Sequence, residues 1–428
     1  MVQGHAIDSS LQPASLSRKS FLIHSTTVLL GLFICASLIT VGSLTFTGLK
    51  LQAPQFLNVL SGALIGYLIS SVTLHNLGRF PGNRPLSYMI PVLTVSLLSI
   101  TAVIIFTRID YSRSVLLLSL GVVPIVTYTE FKLRQHLQTG RYAVIPFGFY
   151  QELIRLNPSK FYALEKPALT APDTIGIIVD SNEQLPAEWQ QFIAAELSKD
   201  TPVMDSVAAY ESISGKSPLH HYGELAGHEL LPSQAYLTAK RLLESSLILA
   251  SAPITLPFIV IVAIAVKLES KGPAFFVQRR IGKGGREFSM YKIRSMRTGS
   301  EINGAQFAGE DDPRITRIGK FIRKMRIDEL PQFLNILKGD MALIGPRPEQ
   351  AAFVREFEQV IPLYSFRHIV RPGITGWAQV THGYAADEDE TREKLAHDFY
   401  YVKNLSIWLD LDIVFKTIKT MLTGFGAR

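Results

Sequence analysis

Four long apolar segments fill the first third of the chain and constrain its fold more than any other feature. They cover residues 27–49, 54–76, 88–107 and 114–130. A helix needs about 20 residues, with a lower limit near 17, to cross the hydrocarbon layer of a membrane. All four segments reach that limit, and a composition of 47% hydrophobic and 18% charged residues is typical of a membrane protein. The sequence therefore predicts a transmembrane bundle of four helices over residues 27–130.

The cations beside these segments predict their orientation. Three groups share one side of the membrane, namely Arg18 and Lys19, then Arg79 and Arg84, then Lys132, Arg134 and Arg141. By the positive-inside rule both ends of the bundle face the cytoplasm, and residues 1–26 form a cytosolic tail. The first segment is long enough to act as an anchor and is not a cleaved signal. No ionisable residue lies in the middle of a segment, which argues against a transporter or a proton relay.

Residues 142–232 have the composition of a soluble α/β domain. The stretches 142–146 and 174–180 are typical of buried strands, and residues 186–198 show a helical pattern. The domain lacks a G-x-G-x-x-G turn and a phosphate-binding P-loop, so no nucleotide is assigned to it. A regulatory or assembly role is the default interpretation.

A fifth apolar segment, residues 242–266, is interrupted by Pro253 and Pro257. A proline removes a helix hydrogen bond and kinks the axis. Cations lie on both flanks, which predicts that both ends prefer the cytoplasm. These features favour a re-entrant helix, which turns back to the face it entered, over a spanning one.

The region that follows is basic. Between Lys240 and Arg347 the chain has 19 Lys and Arg against 10 Asp and Glu. Such a region favours anionic lipid headgroups and phosphorylated substrates. No zinc-finger or RNA-recognition signature accompanies it, so nucleic acid is not predicted as a partner. The apolar pattern of the tail, residues 405–425, fits an interfacial helix and a core-packed helix equally well.

Two adjacent carboxylates, Asp328 and Glu329, lie at the end of a basic amphipathic stretch, residues 317–332. One carboxylate could attack a phosphorus atom while the other holds a divalent metal. The competing interpretation is a helix junction at which Asp328 is a cap. Pro331 places Asp328 near a helix N-terminus, where the helix dipole favours the ionised form of the carboxyl group.

Four neighbouring clusters bear cations suited to phosphate. Two of them are stiffened by glycine and proline, and a rigid arginine is suited to a bidentate contact with an oxyanion. The cations are Lys292 and Arg294 in residues 291–296, Arg314 in 312–316, Arg347 in 345–348, and Arg371 in 371–377. Any one cluster is explained by a surface salt bridge, but four in succession favour a phosphate site.

The region from Lys240 onward resembles the bacterial sugar transferase family, the monotopic polyprenyl-phosphate phosphoglycosyl transferases. The order and spacing of the shared motifs extend over nearly 190 residues. The motifs are Lys267-Leu268, residues 270–273, 278–280, 291–296, 312–314, 328–332, 335–340, 345–348, 371–379 and 398–401. Four preceding spans and an α/β domain are similar to the large members of the family. The implied fold class is a membrane α+β protein, with a catalytic domain over residues 236–428 and interfacial amphipathic helices.

The resemblance implies transfer of a hexose 1-phosphate from a UDP-sugar to undecaprenyl phosphate, releasing UMP, as the initiating step of exopolysaccharide or other surface glycan synthesis. It implies Asp328 as the nucleophile that forms a covalent phospho-sugar enzyme. It also implies a Mg²⁺ site at Glu329, with Asp328 beside it. Lys292, Arg323, Arg347 and Asp398 match further functional positions. The implied location is the bacterial inner membrane, with the catalytic domain facing the cytoplasm and in contact with lipids.

Two stretches depart from the family pattern. Leu256 stands before Pro257 where serine is frequent, and residues 381–386 lack a frequent arginine. Glucose or galactose is the expected sugar, and the oligomeric state, including a homo-oligomer, stays open. The alternatives are a non-catalytic membrane assembly protein and a membrane phosphatase with an aspartate nucleophile.

Overall fold

The structure is a computed structural model, and two compact units make up the chain. It describes residues 18–47, 53–78, 80, 85–137, 140–219, 232–297, 312, 314–361, 363–382 and 388–423. One unit comprises Met1–Ser214 and the other Gly215–Arg428. Helices and strands occur in both, and the long apolar helices identify a membrane α+β protein.

The first unit begins with four long helices, as the apolar segments predict. They are α1 (Arg18–Thr47), α2 (Pro54–Leu77), α3 (Pro85–Phe106) and α4 (Arg113–Leu137). Each is long and apolar enough to cross a membrane. Helix α1 packs on α4, and α2 packs on both α3 and α4. Gly31 permits one close approach, because a Cβ atom there would overlap the ring of Tyr67.

Helix α4 continues seven residues beyond its predicted end and buries charged side chains. The carboxylate of Glu130 accepts hydrogen bonds from Tyr67 Oη at 3.1 Å and Ser71 Oγ at 2.8 Å. Arg134 lies one turn further on and is buried beside His24. The sequence prediction placed the end of the segment at residue 130 and missed this polar cluster. The partners of Glu130 and Arg134 lie on other helices, and the apolar pattern of one segment does not predict contacts between helices.

A four-stranded parallel sheet with helices follows in the same unit, within the stretch for which an α/β domain is predicted. Its strand order is β2 (Phe161–Ala163), β1 (Arg141–Val144), β3 (Thr174–Val179), β4 (Val203–Asp205). Helix α6 (Ala187–Leu197) covers one face, while α5 (Tyr150–Leu156) and α7 (Ser206–Ser214) cover the other. Alternate residues of β1 and β3 enter opposite cores, as the strand period requires.

The second unit is built around short sheets and many helices. Strands β5 (Phe275–Ile281) and β6 (Glu287–Ile293) form an antiparallel hairpin, and β7 (Ala342–Ile344) pairs in parallel with β8 (Gly373–Thr375). The helices are α8 (Gln234–Glu269), α9 (Arg317–Lys324), α10 (Phe333–Lys338), α11 (Ala351–Val360), α12 (Trp377–Thr381), α13 (Glu388–Lys403) and α14 (Ile407–Thr423). Three 3-10 turns, Lys283–Gly285, Ile327–Gln332 and Tyr364–His368, complete the described elements of this unit.

Helix α8 contains the fifth apolar segment and both of its prolines. Its start is held by Lys240, whose Nζ donates to Ile344 O at 2.9 Å and pairs with Asp410 at 2.6 Å. Its end is held by Glu269, which accepts a 3.1 Å hydrogen bond from Ile318 N. Between these ends the helix is exposed, and Ile254 has 78% of its surface accessible. Both ends of α8 therefore contact the same compact unit.

Helix α14 has a buried face, as the core-packed interpretation of its sequence predicts, and exposed apolar residues as well. Leu409 and Ile413 are fully buried, so one face belongs to the core. Ile418 is half exposed near the C-terminal end of the helix. Asp410 pairs with Lys240 of α8 and so ties the start of the membrane segment to this helix.

Candidate active site

Asp328 and Glu329 lie in the 3-10 turn Ile327–Gln332, between α9 and α10. The residue before this turn, Arg326, has a left-handed backbone with φ of 53°. A non-glycine residue in that region is uncommon, and such strain is concentrated at functional sites. The residue at the start of α10, Gln332, makes no side-chain cap, and Asp328 is not positioned as one. The helix-cap interpretation is therefore not what the structure shows.

Three cations surround the carboxylate of Glu329. Lys292 of β6 lies 3.5 Å from Oε1, Arg347 lies 3.5 Å from the same oxygen, and Arg326 lies 3.5 Å from Oε2. Glu329 is 6% exposed and Asp328 8% exposed. The carboxylate of Asp328 has no hydrogen-bond partner among the described residues. The pair thus consists of one carboxylate held by cations and one that can accept a new partner.

The environment shifts the two pKa values apart. Burial raises the pKa of Asp328, and the negative charge of Glu329 raises it further. Burial alone would raise the pKa of Glu329 as well, but Lys292, Arg347 and Arg326 hold it well below its usual range. The dipole argument from sequence predicted an ionised Asp328, whereas desolvation and the adjacent charge oppose ionisation. Divergent pKa values in adjacent carboxylates are a mark of catalytic sites.

Two glycine-containing loops position Arg347. Gly345 N donates to Thr375 O at 2.9 Å, and Gly373 N donates to Pro346 O at 2.9 Å. A Cβ atom on Gly345 would lie 2.4 Å from the carbonyl oxygen of Arg371, so only glycine permits this approach. The two loops are therefore one rigid structure, from which Arg347 reaches Glu329.

Arg367 and Asp398 support this loop from behind. Arg367 Nη2 donates to the carbonyl oxygen of Arg347 at 2.9 Å and forms a 2.8 Å ion pair with Asp398. Glu349 completes the cluster, since it pairs with Lys394 at 2.5 Å and lies 3.8 Å from Arg367. Asp398 was predicted to support the site and lies in this outer layer. Arg367 carried no sequence signal, because it lies in no rigid loop or motif.

Asn335 attaches the strand that carries Lys292 to the helix that follows the carboxylates. Its Oδ1 accepts a 3.1 Å hydrogen bond from Tyr291 N, and its Nδ2 donates to Ser289 O at 2.7 Å. The side chain is fully buried. Strand β6 and helix α10 are thereby held together, so Lys292 and Glu329 keep their separation.

The structure brings some of the predicted cations to the carboxylates and places others elsewhere. Lys292 and Arg347 contact Glu329, and the charge of Arg323 acts on Asp328. The remaining three predicted cations have other partners. Arg294 donates to the carbonyl oxygens of Ser270 and Lys271, Arg314 forms a bidentate pair with Asp312, and Arg371 donates to Gly339 O at 2.9 Å. Arg326 was not predicted, although its spacing of three residues from Glu329 is a usual helical ion-pair spacing.

The donor set is compatible with a magnesium ion. Mg²⁺ prefers carboxylate oxygens and is held by one or two of them, with waters and substrate phosphates as its other ligands. Asp328 and Glu329 supply such oxygens. The surrounding cations are suited to the phosphates of a substrate, because fixed positive charges stabilise the charge that develops during phosphoryl transfer.

Comparison with known proteins places this chain in a family of enzymes. The family model described as bacterial sugar transferase matches residues 235–424, which include α8, the carboxylate pair and all the loops above. The chain belongs to the bacterial sugar transferase family, and it is an enzyme of the transferase class.

Among its relatives is the UDP-N-acetylgalactosamine-undecaprenyl-phosphate N-acetylgalactosaminephosphotransferase of Aeromonas hydrophila, which is 46% identical over 372 residues, 87% of this chain and 88% of that protein. The UDP-glucose:undecaprenyl-phosphate glucose-1-phosphate transferase of Xanthomonas campestris pv. campestris is 41% identical over 191 residues, 44% of this chain and 39% of that protein. The enzyme of the same description from Escherichia coli K12 is 40% identical over 165 residues, 38% of this chain and 35% of that protein.

Proposed function

We propose that this protein transfers an N-acetylhexosamine 1-phosphate from its UDP-sugar to undecaprenyl phosphate, giving undecaprenyl-diphosphate-sugar and UMP. The observation that carries the proposal is the buried pair Asp328–Glu329, with cations arranged around it. The diphosphate of the UDP-sugar and the phosphate of the lipid bring negative charge to this site. The cations Lys292, Arg326 and Arg347 supply the opposite charge.

The proposed reaction has two displacements at one phosphorus atom. Asp328 attacks the β-phosphorus of the UDP-sugar, the bond from that phosphorus to the bridging oxygen breaks, and UMP leaves with the oxygen. An oxygen of undecaprenyl phosphate then attacks the same phosphorus, and the bond to Asp328 breaks. Asp328 is suited to the attack because it has no hydrogen-bond partner in the described part of the chain. A covalent intermediate of this kind predicts ping-pong kinetics.

Glu329 is the proposed Mg²⁺ ligand, with Asp328 beside it, and an ion held there would supply charge neutralisation for the phosphates. The low pKa of Glu329 keeps that carboxylate ionised at neutral pH. Arg347 is proposed to orient the diphosphate, since a guanidinium on a rigid loop matches two phosphate oxygens at once.

The second part of the proposal is that α8 is re-entrant and that the site faces the cytoplasm at the inner membrane of a bacterium. A straight helix of 36 residues would be about 54 Å long, much more than the roughly 30 Å of a bilayer core. Support comes from Lys240 and Glu269, because both ends of α8 bind the same unit. Two ends that bind one compact unit are expected to lie on the same side of a membrane. Pro253 and Pro257 lie in the exposed middle, where the turn is expected.

The proposed sugar is chosen by how much of each relative's length this chain matches. The Aeromonas relative, which by its name acts on UDP-N-acetylgalactosamine, matches over 88% of its length, whereas the Xanthomonas and Escherichia coli relatives, named for glucose, match over 39% and 35% of theirs. UDP-N-acetylgalactosamine is therefore the proposed donor, with UDP-glucose as the comparison substrate.

The test uses the full-length protein in detergent with radiolabelled UDP-sugars, undecaprenyl phosphate and Mg²⁺. Label in the lipid fraction with matched UMP release supports the transferase. Free sugar phosphate without a lipid product would identify a hydrolase, and no product from any UDP-sugar would favour an assembly role.

The variant Asp328→Asn tests the covalent step, with Asp389→Asn as its matched control on the exposed side of α13. Asp328→Asn is expected to abolish turnover and to form no phospho-sugar adduct by intact-protein mass spectrometry. Asp389→Asn is expected to keep wild-type turnover. Activity near wild type in Asp328→Asn contradicts the covalent mechanism.

A further inference from the structure

Three side chains with metal-ligating atoms meet at the junction of α12 and α13, away from the carboxylate pair. They are His382, which follows α12, and Glu393 and His397 of α13. Glu393 and His397 are separated by four residues and so share one face of the helix. One ligand atom from each of the three residues lies within 4.8 Å of the other two.

The hydrogen bonding of His397 prepares it to bind a cation. Its Nδ1 lies 2.9 Å from the carbonyl oxygen of Gly215, which can only accept, so Nδ1 carries the proton. The lone pair therefore lies on Nε2. Metal-ligating histidines usually donate their second ring N–H to a carbonyl or carboxylate group, which fixes the tautomer. His397 is 4% exposed, so its ring is held in place.

His382 supplies a second, independent indication. Its Nε2 atom is buried and has no hydrogen-bond partner among the described residues. A buried polar atom without a partner carries a desolvation penalty of about 1–3 kcal/mol. The ring is close to that of His397, with centroids 5.9 Å apart, and its Nδ1 lies 3.7 Å from Glu393 Oε1.

Glu393 already has one cationic neighbour, because Lys216 forms an ion pair with its Oε1. The side chain of Glu393 is 41% exposed, which leaves it room to rotate. In a tetrahedral site with bonds of about 2.0–2.2 Å, neighbouring ligand atoms are about 3.3 Å apart. The ligand atoms of the three residues lie within 4.8 Å of one another, so binding requires a small closure of all three side chains.

The geometry points to a transition-metal site formed by His382, Glu393 and His397, which takes Zn²⁺ or a similar borderline ion. Two imidazoles and one carboxylate are a ligand set that Zn²⁺ uses, with water in the fourth position. Imidazole nitrogens do not suit Mg²⁺, which prefers oxygen ligands. The site is thus chemically distinct from the Asp328–Glu329 pair.

The proposed site lies where α12, α13 and the 215–217 segment meet. The carbonyl oxygen of Gly215 also accepts a 2.8 Å hydrogen bond from Trp377 Nε1 at the start of α12. Ser217 N donates to Ala396 O on α13 at 3.0 Å. An ion bound by His382 and His397 therefore ties α12, α13 and the 215–217 segment together. Asp398, which pairs with Arg367 behind the catalytic loop, follows directly on α13.

The experiment measures zinc binding by the purified full-length protein, stripped with a chelator and then titrated with Zn²⁺ in excess Mg²⁺ against a fluorescent zinc indicator. The wild type is expected to bind one Zn²⁺ per chain with high affinity. The double variant His382→Ala/His397→Gln is expected to bind at least about 10-fold more weakly, since loss of supporting groups alone costs that much. His136→Ala, at an exposed histidine in α4, is the matched control and is expected to retain the wild-type affinity.

Two further variants keep the test decisive. Asp328→Asn/Glu329→Gln is expected to keep the zinc site, which separates it from the catalytic carboxylates. Lys216→Met is expected to tighten zinc binding at least about twofold, because it removes a cation that competes for Glu393. Thermal unfolding with and without Zn²⁺ is measured for every variant, since an ion that binds only the folded state raises the midpoint.

Equal zinc affinity in the wild type and the double histidine variant, or no binding to the wild type at saturating Zn²⁺, would overturn the proposal. Loss of binding in Asp328→Asn/Glu329→Gln alone would also overturn it, because the ion would then occupy the catalytic pair.

Discussion

Arg367 donates a 2.9 Å hydrogen bond to the main-chain oxygen of Arg347, so the position of one arginine depends on the other. Arg367 is held in turn by Asp398 and Glu349, and all of these groups are buried or nearly so. This layer lies behind the loop and does not contact the carboxylate pair directly. It holds the main chain from which the guanidinium of Arg347 reaches Glu329.

Asp398→Asn is expected to lower kcat/KM by about 10- to 100-fold, because a displacement of about 1 Å in a positioned group has effects of that size. Steady-state kinetics with both substrates, together with thermal unfolding, test this expectation. If Asp398 acts by positioning Arg347, then the variant Arg347→Lys should already have lost most of that contribution. Adding Asp398→Asn to Arg347→Lys should therefore have a smaller effect than in the wild type. Fully additive effects would argue that Asp398 has only a structural role.

Arg347→Ala and Arg371→Ala are a matched pair from the two rigid loops. Arg347→Ala should lower kcat by 100-fold or more. Removal of a single hydrogen-bond donor to an oxyanion lowers kcat in other enzymes by about 10²- to 10³-fold. Arg371 donates to Gly339 O and should affect stability more than chemistry, by about 1–3 kcal/mol for an unpaired acceptor. Kinetics and denaturant unfolding separate the two effects. Equal losses of kcat would show that Arg371 also reaches the substrate.

The direction of α8 is tested by tags inserted after residue 235 and at the C-terminus. Both tags are expected to be inaccessible in intact spheroplasts and accessible after permeabilisation, because both ends of α8 contact one unit. A tag inserted at residues 48–52, between the ends of α1 and α2, is the control for outside exposure. A C-terminal tag labelled from outside intact spheroplasts would show that α8 spans the membrane.

The ion pairs of Glu349 predict how the free energy of unfolding depends on pH. Burial alone would raise its pKa, but Lys394, Arg367 and Arg280 lower it from 4.5 to about 2. A carboxyl group with a lowered pKa in the folded state stabilises the protein at neutral pH, and that contribution is lost as the pH falls from about 4.5 to about 2. The shift corresponds to about 3 kcal/mol. Glu349→Gln should therefore destabilise the protein at pH 7 and much less at pH 3.

Denaturant unfolding of wild type and Glu349→Gln at both pH values measures this difference. Glu356→Gln, on the neighbouring exposed part of α11, is the control and should change stability little at either pH. A constant difference between wild type and Glu349→Gln across the two pH values would contradict the assigned ion pairs.

The local sequence pattern was sufficient to predict many of the helices and strands. Apolar runs of sufficient length predicted long helices, and α1 to α4 are helices long and apolar enough to cross a membrane. The apolar runs at 142–146 and 174–180 predicted buried strands, and these strands are central in the parallel sheet. The end predicted for the fourth segment, residue 130, falls seven residues short of the end of α4. Glu130 and Arg134 are paired with residues of other helices, and the apolar pattern of one segment does not predict such contacts.

The sequence by itself determined the membrane helices, the α/β unit and the presence of Asp328–Glu329 beside a basic segment, since these depend on the length, period and charge of contiguous residues. Only the tertiary structure decided which cations reach Glu329. Lys292, Arg326 and Arg347 converge on it from separate elements, while Arg294, Arg314 and Arg371 bond elsewhere. A cation in a sequence has many acceptors within reach once the chain folds, and the packing of the strands and loops selects among them.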